Sequence, residues 1–284
     1  MDIRFDGKVC VVTGAGSGIG FACAHMLAES GATVAMIGRN AEKIQKAAKM
    51  LESTGDVHPF ALDIADVQAI PGVISAIRSE LGEIDCLLQC AGQMGGGAAV
   101  DLTEETWDSM LNTNAKGTFF VMQQVVKQSM LPRRRGSIVN IASMAGIRGM
   151  TPPMCSAHYS ASKGAVVAIS RQAAVEWAAD NIHVNCIAPG GVMSMGVGVA
   201  SVPAGGPGGP GGPGGGPGAP GGGPGGPGGP GGGPGGPPTT GVPSGRLSDP
   251  DEIAGMCLYL LSDLSANTTG QVIVIDGGSS VVGY

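Results

Sequence analysis

Short apolar runs alternate with longer amphipathic stretches along most of the chain. Runs rich in Val, Ile and Leu are typical of strands that are buried on both faces. They predict strands at Val9–Val12, Thr33–Ile37, Val57–Leu62, Ile84–Gln89, Ser137–Ala142, His183–Ile187 and Gln271–Ile275. The stretches between them predict helices at Phe21–Ser30, Ala41–Ser53, Val67–Leu81, Glu104–Asn114, Thr118–Met130, Tyr159–Asp180 and Asp249–Leu261. This alternation predicts an α/β fold with a doubly wound parallel sheet, in which a ligand lies beyond the carboxyl ends of the strands.

A glycine- and proline-rich tract interrupts the pattern at Pro203–Pro238, which holds 22 Gly, 12 Pro and 2 Ala. Without these 36 residues the chain of 284 keeps 248, an ordinary size for one α/β domain. We therefore expect a single domain over residues 1–284, with the tract as an insertion. Because the tract offers almost no apolar side chain to bury, we expect it to act as a mobile lid or hinge. A segment that recruits a partner is the alternative.

Charge and composition narrow the range of partners. The formal net charge is −6 and there is no extended basic stretch, so nucleic acid is not an expected partner. The charged N-terminus and the lack of a long apolar run predict neither a signal peptide nor a membrane segment. The seven cysteines form no Cys-x-x-Cys pair and mostly lie in apolar runs, which is typical of reduced thiols in a cytoplasmic protein. Four scattered histidines predict no metal site.

Glycines cluster in Thr13-Gly-Ala-Gly-Ser-Gly-Ile-Gly20, between the first predicted strand and the first predicted helix. A strand, a glycine turn and a helix in this order are the context in which such a motif indicates dinucleotide binding on a Rossmann-like fold. Gly14 and Gly18 would let the backbone approach a pyrophosphate at the helix N-terminus. Gly20 would allow the helix to pack closely on the strand. A plain tight turn is the alternative interpretation.

Tyr159-Ser-Ala-Ser-Lys163 is the second motif that indicates chemistry. An unperturbed phenol has a pKa of about 10 and is a poor acid near neutral pH. On a helix, Tyr159 and Lys163 share one face, because they are four residues apart. The ammonium group would then favour the phenolate, so that the tyrosine could exchange a proton with a carbonyl or alcohol oxygen.

Taken together, the motifs resemble those of the short-chain dehydrogenase/reductase family, over the whole chain except the tract. The matching segments are Thr13–Gly20, Asp63, Cys90-Ala-Gly92, Asn114 in Asn-Thr-Asn-Ala-Lys, Ser143, Tyr159 with Lys163, Pro189-Gly190 and Asp276-Gly-Gly278. Two features depart from the usual pattern of that family. Gln89-Cys90 stands where paired asparagines are usual, and the segment from Ser143 to Tyr159 is a few residues longer.

The resemblance implies four catalytic residues. Tyr159 would be the general acid that protonates a carbonyl, and Lys163 would lower its pKa and hydrogen-bond the nicotinamide ribose. Ser143 would donate a hydrogen bond to the substrate oxygen. Asn114 would hold a water molecule in a proton relay through Lys163. Ser156 is a rival to Ser143 because it lies closer to Tyr159 along the chain, and a helix C-cap is the alternative role for Asn114.

The same resemblance implies a binding site for a nicotinamide dinucleotide. The implied cofactor-binding residues are Thr13, Gly14, Gly16, Ser17, Gly18, Ile19, Gly20, Asp63, Ile64, Cys90, Ala91, Gly92, Tyr159, Lys163, Pro189, Gly190, Val192 and Ser194. An NAD-preferring member would place an acid near Gly38, whereas this chain has Arg39 at the next position. A guanidinium group suits a 2′-phosphate, so Arg39 predicts NADP(H) as the cofactor. An exposed arginine without a ligand is the alternative.

The substrate implied by the family is a small-molecule ketone or alcohol. Met144, Met150, Met154, Met193 and Met195 lie on segments that would line the substrate site. Flexible apolar side chains suit a bulky cyclic ketone, although core packing explains some of them equally well. A 3-oxoacyl thioester or a hydroxysteroid is the alternative substrate. In a different class, the chain would be a cofactor-binding scaffold without activity.

Resemblance also suggests a homo-oligomer, a tetramer or a dimer. Members of the family pair long helices across their subunit contacts. Glu104–Met130 and Tyr159–Asp180 are the predicted helices that would do so here.

Overall fold

A computed structural model describes residues 2–151, 156–193 and 242–282. Seven parallel strands form one sheet in the order β3-β2-β1-β4-β5-β6-β7. Their bounds are Val9–Thr13 (β1), Thr33–Gly38 (β2), Val57–Ala61 (β3), Ile84–Gln89 (β4), Gly136–Ile141 (β5), Ile182–Pro189 (β6) and Val272–Ile275 (β7). The chain therefore has the predicted doubly wound, Rossmann-like α/β fold, and each predicted strand lies within two residues of its predicted ends.

Helices cover both faces of the sheet. Their bounds are Gly18–Glu29 (α1), Ala41–Leu51 (α2), Ile70–Leu81 (α3), Glu104–Leu111 (α4), Thr118–Val125 (α5), Leu131–Arg133 (α6), Ala157–Trp177 (α7) and Pro250–Leu261 (α8). Apolar residues of α1, α2 and α8 form one core layer with one face of the strands. Apolar residues of α3, α5 and the C-terminal half of α7 form the other layer. The central strands are buried on both sides, which explains why β1 reads as an uninterrupted apolar run.

Two predicted helices are in fact one continuous helical segment. We expected a break between Asn114 and Thr118, but the chain runs from α4 through a π-helical segment, Asn112–Gly117, directly into α5. A second π-helical segment, Val126–Met130, connects α5 to α6. Gly117 lies inside this helical segment, where its missing side chain serves packing, because a Cβ there would lie 2.6 Å from the Ile64 carbonyl oxygen.

Helix α3 begins later than the sequence predicted. The prediction placed its start at Val67, whereas the helix begins at Ile70. The Asp66 carboxylate accepts hydrogen bonds from the backbone N–H groups of Gln68 and Ala69, at 3.2 and 3.3 Å. This local turn occupies the residues that would otherwise form the first helical turn.

Several predictions fall outside the described residues. These are the tract Pro203–Pro238 together with Ser194, Met154 and Met195. The prediction that the tract is an insertion in a single domain stays a prediction. Within the three described ranges, none of the helices combines the length and the hydropathy that a membrane span requires.

Candidate active site

The site lies at the carboxyl edge of the sheet, where the strand order reverses between β1 and β4. β1 pairs with β2 on one side and with β4 on the other, so two loops diverge from this point. The Cys90 backbone N–H donates to the Thr13 carbonyl at 3.2 Å, and the Ala91 N–H donates to the Thr13 hydroxyl at 3.2 Å. These bonds fix the loop after β4 against the start of the glycine turn. In doubly wound sheets, the crevice at such a reversal is where ligands bind.

The glycine turn is closed by main-chain contacts. Gly14 has a φ of +69°, and a Cβ on it would lie 2.7 Å from the Ala91 backbone nitrogen. A Cβ on Gly20 would collide with the Gly14 carbonyl oxygen. A Cβ on Gly18, by contrast, would meet no atom of the described residues within 4 Å. The turn therefore packs tightly on its inner side and is open at the N-terminus of α1, which fits a pyrophosphate held there.

The other residues of the turn lead to the first turn of α2. Ile19 packs against the core layer on the α1 side. The Ser17 hydroxyl accepts a hydrogen bond from the Lys43 ammonium group at 3.2 Å. A Cβ on Gly16 would lie 3.7 Å from the same lysine side chain. Lys43 was not predicted as a site residue, because its proximity to the glycine turn is a long-range contact across two elements.

Arg39 and Lys43 place two cations on the rim of the crevice. Both side chains are exposed, at the end of β2 and in the first turn of α2. The Asn40 side chain accepts a hydrogen bond from the Lys43 backbone N–H at 2.8 Å and caps α2. This cap fixes the helix start and with it the position of Lys43 relative to Arg39.

Asp63 and Ile64 follow β3 on the same edge of the sheet. Asp63 is exposed, and its carboxylate accepts a hydrogen bond from the Ala65 N–H at 3.0 Å. Ile64 is buried and lies against Gly117. The Leu62 N–H donates to the Gly38 carbonyl at 3.0 Å, which ties this loop to the end of β2.

Gly92, in the loop after β4, lies beside two of the side chains that were predicted to be catalytic. A Cβ on Gly92 would lie 3.2 Å from Asn114 Oδ1 and 3.3 Å from Lys163 Nζ. The structure thus brings Gly92, Asn114 and Lys163 together, although they are distant in sequence.

Lys163 is a buried cation on the inner side of α7. Its side chain is only 6% exposed, and Nζ donates to the Ile141 carbonyl at the end of β5, at 2.8 Å. Burial lowers the pKa of the Lys163 ammonium group to about 8, against an ordinary value of 10.5. A lysine that is desolvated in this way exchanges protons close to neutral pH.

Burial and Ser143 act in opposite directions on the Tyr159 phenol. Burial raises the pKa of the phenol, and the interaction with the Ser143 side chain opposes this rise. This differs from the expectation that Lys163 lowers the pKa of the phenol. The Lys163 Nζ lies 5.9 Å from the centre of the Tyr159 ring and is bonded to Ile141. The partner that favours the phenolate is therefore Ser143.

A short turn holds Ser143 beside α7. Ser143 lies two residues beyond β5, and its hydroxyl accepts a hydrogen bond from the Ala145 N–H at 3.1 Å. The turn of Met144–Gly146 then packs on α7 so closely that a Cβ on Gly146 would lie 2.6 Å from the Lys163 carbonyl carbon. Gly146 thus allows the approach that puts Ser143 next to Tyr159.

Asn114 is fully buried within the π-helical segment and is not a helix C-cap. Its Oδ1 accepts from the Gln93 N–H at 2.7 Å, and its Nδ2 donates to the Gln93 carbonyl at 3.0 Å and to the Ser162 hydroxyl at 3.0 Å. A π-helical turn inserts one extra residue and often occurs at functional sites. Gln93 was missed by the sequence analysis, although it directly follows Cys90-Ala-Gly92.

Ser156, the rival of Ser143, is bonded elsewhere. Its hydroxyl donates to the Gly95 carbonyl, and Ser156 also forms a parallel bridge with Gly97. It therefore anchors the loop after β4, whereas Ser143 contacts the phenol. His158, next to Tyr159, is fully buried near the same loop, and its Nε2 has no hydrogen-bond partner in the part of the chain that the structure describes.

The end of β6 forms the remaining border of the crevice. The Gly190 N–H, directly after Pro189, donates to the Ile275 carbonyl at 2.8 Å, and a Cβ on Gly190 would lie 2.7 Å from Asp276 Cβ. Val192 pairs with Ser248 in a parallel bridge. These contacts fix the start of the segment that leads towards Ser194.

The methionines expected around the substrate differ in exposure. Met144 is only 7% exposed and belongs to the core, whereas Met193 is 41% exposed. Met94, which we did not predict, is 82% exposed in the loop that Ser156 anchors beside α7. Across the described ranges, no group of three or more His, Cys, Asp or Glu side chains could hold a metal ion.

Two family models match most of the chain. The sequence model described as short chain dehydrogenase matches residues 8–199, and a second, described as Enoyl-(Acyl carrier protein) reductase, matches residues 239–280. The chain therefore belongs to the short-chain dehydrogenase/reductase family.

Individual relatives cover nearly the whole chain. A 3-oxoacyl-[acyl-carrier-protein] reductase of Thermotoga maritima is 34% identical over 97% of this chain and 99% of its own length. A D-threitol dehydrogenase of Mycolicibacterium smegmatis is 34% identical over 99% of this chain and 95% of its own length. The crystal structure of a variant of actinorhodin polyketide ketoreductase with NADPH matches at a TM-score of 0.79 and 29% identity, over 97% of this chain and 98% of that chain. This chain is thus an oxidoreductase of the short-chain type.

Proposed function

We propose that the protein is an NADPH-dependent carbonyl reductase in which Tyr159 is the general acid. The observation that carries the proposal is the group of side chains around Gly92. Lys163 and Asn114 are buried beside Gly92, the Lys163 ammonium group lies 5.9 Å from the centre of the Tyr159 ring, and the Ser143 side chain opposes the rise in the pKa of the Tyr159 phenol. A buried lysine with a lowered pKa is unfavourable for stability, and such groups cluster at functional sites, so this group favours catalysis over a scaffold without activity.

The residues around the glycine turn suit the binding of NADP(H). Thr13, Gly14, Gly18 and Gly20 would hold the pyrophosphate, because the turn is open at the N-terminus of α1. Arg39 and Lys43 would contact a 2′-phosphate, since both cations are exposed on this rim. The further residues proposed for the cofactor are Gly16, Ser17, Ile19, Asp63, Ile64, Cys90, Ala91, Gly92, Pro189, Gly190, Val192 and Ser194.

Reduction of a ketone needs a hydride for the carbon and a proton for the oxygen. The nicotinamide supplies the hydride when the cofactor is bound. The Tyr159 hydroxyl donates the proton to the substrate oxygen, and the Ser143 hydroxyl donates a hydrogen bond to that oxygen as negative charge develops. The raised pKa keeps Tyr159 protonated at neutral pH, as a general acid must be.

The proton that Tyr159 gives up has to be replaced. The Lys163 ammonium group has a pKa of about 8 and can exchange a proton near physiological pH. Asn114 Oδ1 and Lys163 Nζ would lie 3.2 and 3.3 Å from a Cβ placed on Gly92, so the two atoms are close to each other. We infer that Lys163 and Asn114 form the inner end of a proton relay to Tyr159.

For the substrate, we propose a bulky cyclic ketone. With its expected preference for NADP(H) and its Gly/Pro tract, this chain resembles dihydrodaidzein reductase of the bacterial equol pathway. That enzyme reduces the isoflavanone dihydrodaidzein to tetrahydrodaidzein. The exposed, flexible side chains of Met94 and Met193 beside the site suit a flat ring system. The second candidate is a 3-oxoacyl thioester, which the 34% identity to the Thermotoga maritima reductase favours. A hydroxysteroid is a further alternative within the family.

We also propose that the chain forms a homo-oligomer through α5 and α7. A mostly apolar groove on these helices is lined by Phe119, Ala168, Ile169, Gln172, Ala173, Glu176 and Trp177. Val175, outside this lining on α7, is 77% exposed. A second copy that packs on this face would bury these side chains. Sedimentation velocity of the parent and of Val175→Glu tests this, with dissociation expected for the variant.

A panel of ketones tests the proposed function. Dihydrodaidzein, a steroid ketone and a 3-oxoacyl thioester are each mixed with NADPH or NADH, and absorbance at the reduced nicotinamide band is followed. We expect NADPH oxidation to be fastest with the isoflavanone, and preference for the thioester would favour the second candidate. Tyr159→Phe is the control, for which we expect turnover to fall by 10²–10⁴-fold with little change in NADPH affinity. If the parent binds NADPH but reduces no ketone, the scaffold interpretation is correct.

A further inference from the structure

A second cavity lies at the amino edge of the sheet, at the opposite end of the strands from the crevice. The starts of β4, β5 and β6, the residue before β1 and the end of α8 form its walls. Its volume is about 90 Å³, roughly three times the 30 Å³ that one water molecule occupies in the liquid. We call it the amino-edge cavity.

Three consecutive arginines, Arg133–Arg135, precede β5, and each lies in different surroundings. The Arg133 guanidinium group donates to the Asp85 carboxylate at 2.9 Å. Arg134 lies 3.2 Å from the Asp180 carboxylate. Arg135 lines the amino-edge cavity, and within the described ranges its side chain has no hydrogen bond or ion pair. Of the three, Arg135 is thus the one that keeps its donors available in that part of the chain.

Further hydrogen-bond donors lie in the same walls as Arg135. Ser137 on β5 and His183 on β6 are register partners, so both side chains lie on the same face of the sheet. The Asn181 side chain also lines the cavity. None of these three side chains has a hydrogen-bond partner among the residues that the structure describes. The cavity therefore presents several donors that a ligand with acceptor oxygens would satisfy.

The carboxylates in the cavity walls are already occupied. Asp85 accepts hydrogen bonds from Arg133 on one oxygen and from the Val9 N–H on the other, and its side chain is only 12% exposed. Asp263 accepts a hydrogen bond from the Lys8 ammonium group at 2.9 Å. Each carboxylate is thus matched by a cation other than Arg135.

The charge of Arg135 acts on Asp263 only from a distance. The hydrogen bond with Lys8 is the main cause that lowers the pKa of the Asp263 carboxyl, and the charge on Arg135 adds to it more weakly. With each carboxylate paired to another cation, the positive charge of Arg135 is in excess. This excess favours an anion over a cation or a neutral ligand.

The C-terminus of α8 is the wall that would disfavour an anion, because the last carbonyl groups of a helix carry partial negative charge. Here the Leu260 carbonyl accepts from the Ser265 hydroxyl at 2.9 Å, and the Leu261 carbonyl accepts from the Cys86 thiol at 3.8 Å. Hydrogen bonds within the fold therefore offset the partial charge of these carbonyls.

We propose that the amino-edge cavity binds a small oxyanion, either inorganic phosphate or the phosphoryl group of a small phosphomonoester. The planar guanidinium group of Arg135 would donate to two of its oxygens, and Ser137 and His183 would donate to the others. A strand rises about 3.3 Å per residue, so the six residues of β5 place this cavity roughly 20 Å from the crevice. The site is therefore separate from the cations proposed for the 2′-phosphate, and it does not depend on the proposed function.

Titration of the full chain with inorganic phosphate, at constant pH and ionic strength, tests the proposal. The ring protons of His183 are followed by NMR, and His183→Ala identifies their signals among those of the four histidines. We expect a saturable shift of the His183 signals. The same titration with glycerol 3-phosphate distinguishes the two sources, since a site for an ester should saturate at a lower concentration of this probe than of free phosphate.

Substitutions of arginine show which cation holds the anion. Arg135 is exposed, and Arg135→Ala should raise the phosphate concentration at half saturation by about tenfold or more, because a hydrogen bond to a charged group is lost. Arg134→Ala is the matched control from the same run and should leave this concentration unchanged, as should Arg39→Ala on the rim of the crevice. Absence of a saturable His183 shift with either probe overturns the proposal, and so does equal weakening by Arg135→Ala and Arg134→Ala.

Discussion

The two ends of the crevice are built in different ways. At the glycine turn the fit is between backbone atoms, since Gly14 and Gly20 lie so close to the main chain that a Cβ would not fit. At the α7 end the fit is between buried side chains, with Lys163 and Asn114 only 6% and 0% exposed. The first end requires the absence of side chains. The second requires particular side chains in places where they are unfavourable for stability.

The two ends of the crevice should differ in how their residues affect the stability of the fold. A glycine that allows backbone contact serves the fold and the site at once, because both need the close approach. A buried ammonium group is unfavourable for stability, because desolvation opposes its charge. Substitutions at the glycine turn should therefore lower the free energy of unfolding, whereas removal of the Lys163 charge should not lower it.

The largest effect is expected for Lys163→Met. Loss of the ammonium group should lower kcat by 10²–10⁴-fold, in the range typical of a lost acid–base group. Stability at pH 7 should not fall, since a similar volume replaces a charge that burial disfavours. Steady-state kinetics and urea unfolding of the parent and the variant check both parts. A variant that is strongly destabilised would show that Lys163 supports the fold.

The pH dependence of stability sharpens the same point. The pKa of Lys163 is about 8 in the folded protein, against an ordinary value of 10.5. Below pH 8 both folded and unfolded states bind the proton, and the folded state carries the full desolvation penalty. Between pH 8 and 10.5 the unfolded state binds more protons, so the stability of the parent rises with pH. Relative to Lys163→Met, the parent should gain about 3 kcal/mol between pH 7 and pH 10.5. Urea unfolding of both proteins across this range measures the gain, and a constant difference would contradict it.

At the glycine turn we expect a smaller effect, and here a substitution should lower stability. Gly20→Ala would push a methyl group into the Gly14 carbonyl, so we expect a loss of about 1–3 kcal/mol in unfolding free energy. NADPH affinity should fall as well, because the turn would open. Gly16→Ala is the matched control, since its Cβ would only reach ordinary contact at 3.7 Å from Lys43. Equal stability of the two variants in thermal unfolding would show that the turn can relax.

The contrast also explains what the sequence could and could not predict. The strands and the glycine turn were predicted because each depends on a local pattern, an apolar run or a missing side chain. The continuous helix from α4 to α6 was not, because Gly117 serves a contact with Ile64 from another part of the chain. A glycine inside a helix and a glycine at its end look the same in sequence.

The side-chain partners at the α7 end could not be predicted from the sequence for a similar reason. The sequence pointed to Asn114 and Tyr159 as residues, but the partners that hold them are Gln93 and Ser143, 21 and 16 positions away in the chain. The pKa of Tyr159 was expected to fall through Lys163, and burial instead raises it. Spacing on one helix showed which two residues share a face. It did not show how deeply that face is buried.

The smallest effects are expected on the exposed rim, where Arg39 and Lys43 face solvent rather than the interior. An exposed ionic contact is worth about 1 kcal/mol or less, so Arg39→Ala and Lys43→Ala should each raise the KM for NADPH by about fivefold. The KM for NADH should not change, because NADH lacks the 2′-phosphate. Lys46→Ala, which removes an exposed lysine from the same helix, is the matched control and should leave both values unchanged. Gly38→Asp is a poorer test, since a Cβ there would lie 3.2 Å from the buried Ile44 side chain and alter the fold as well. If Arg39→Ala changes the KM for NADPH and for NADH equally, Arg39 attracts both cofactors through its charge and does not contact the 2′-phosphate.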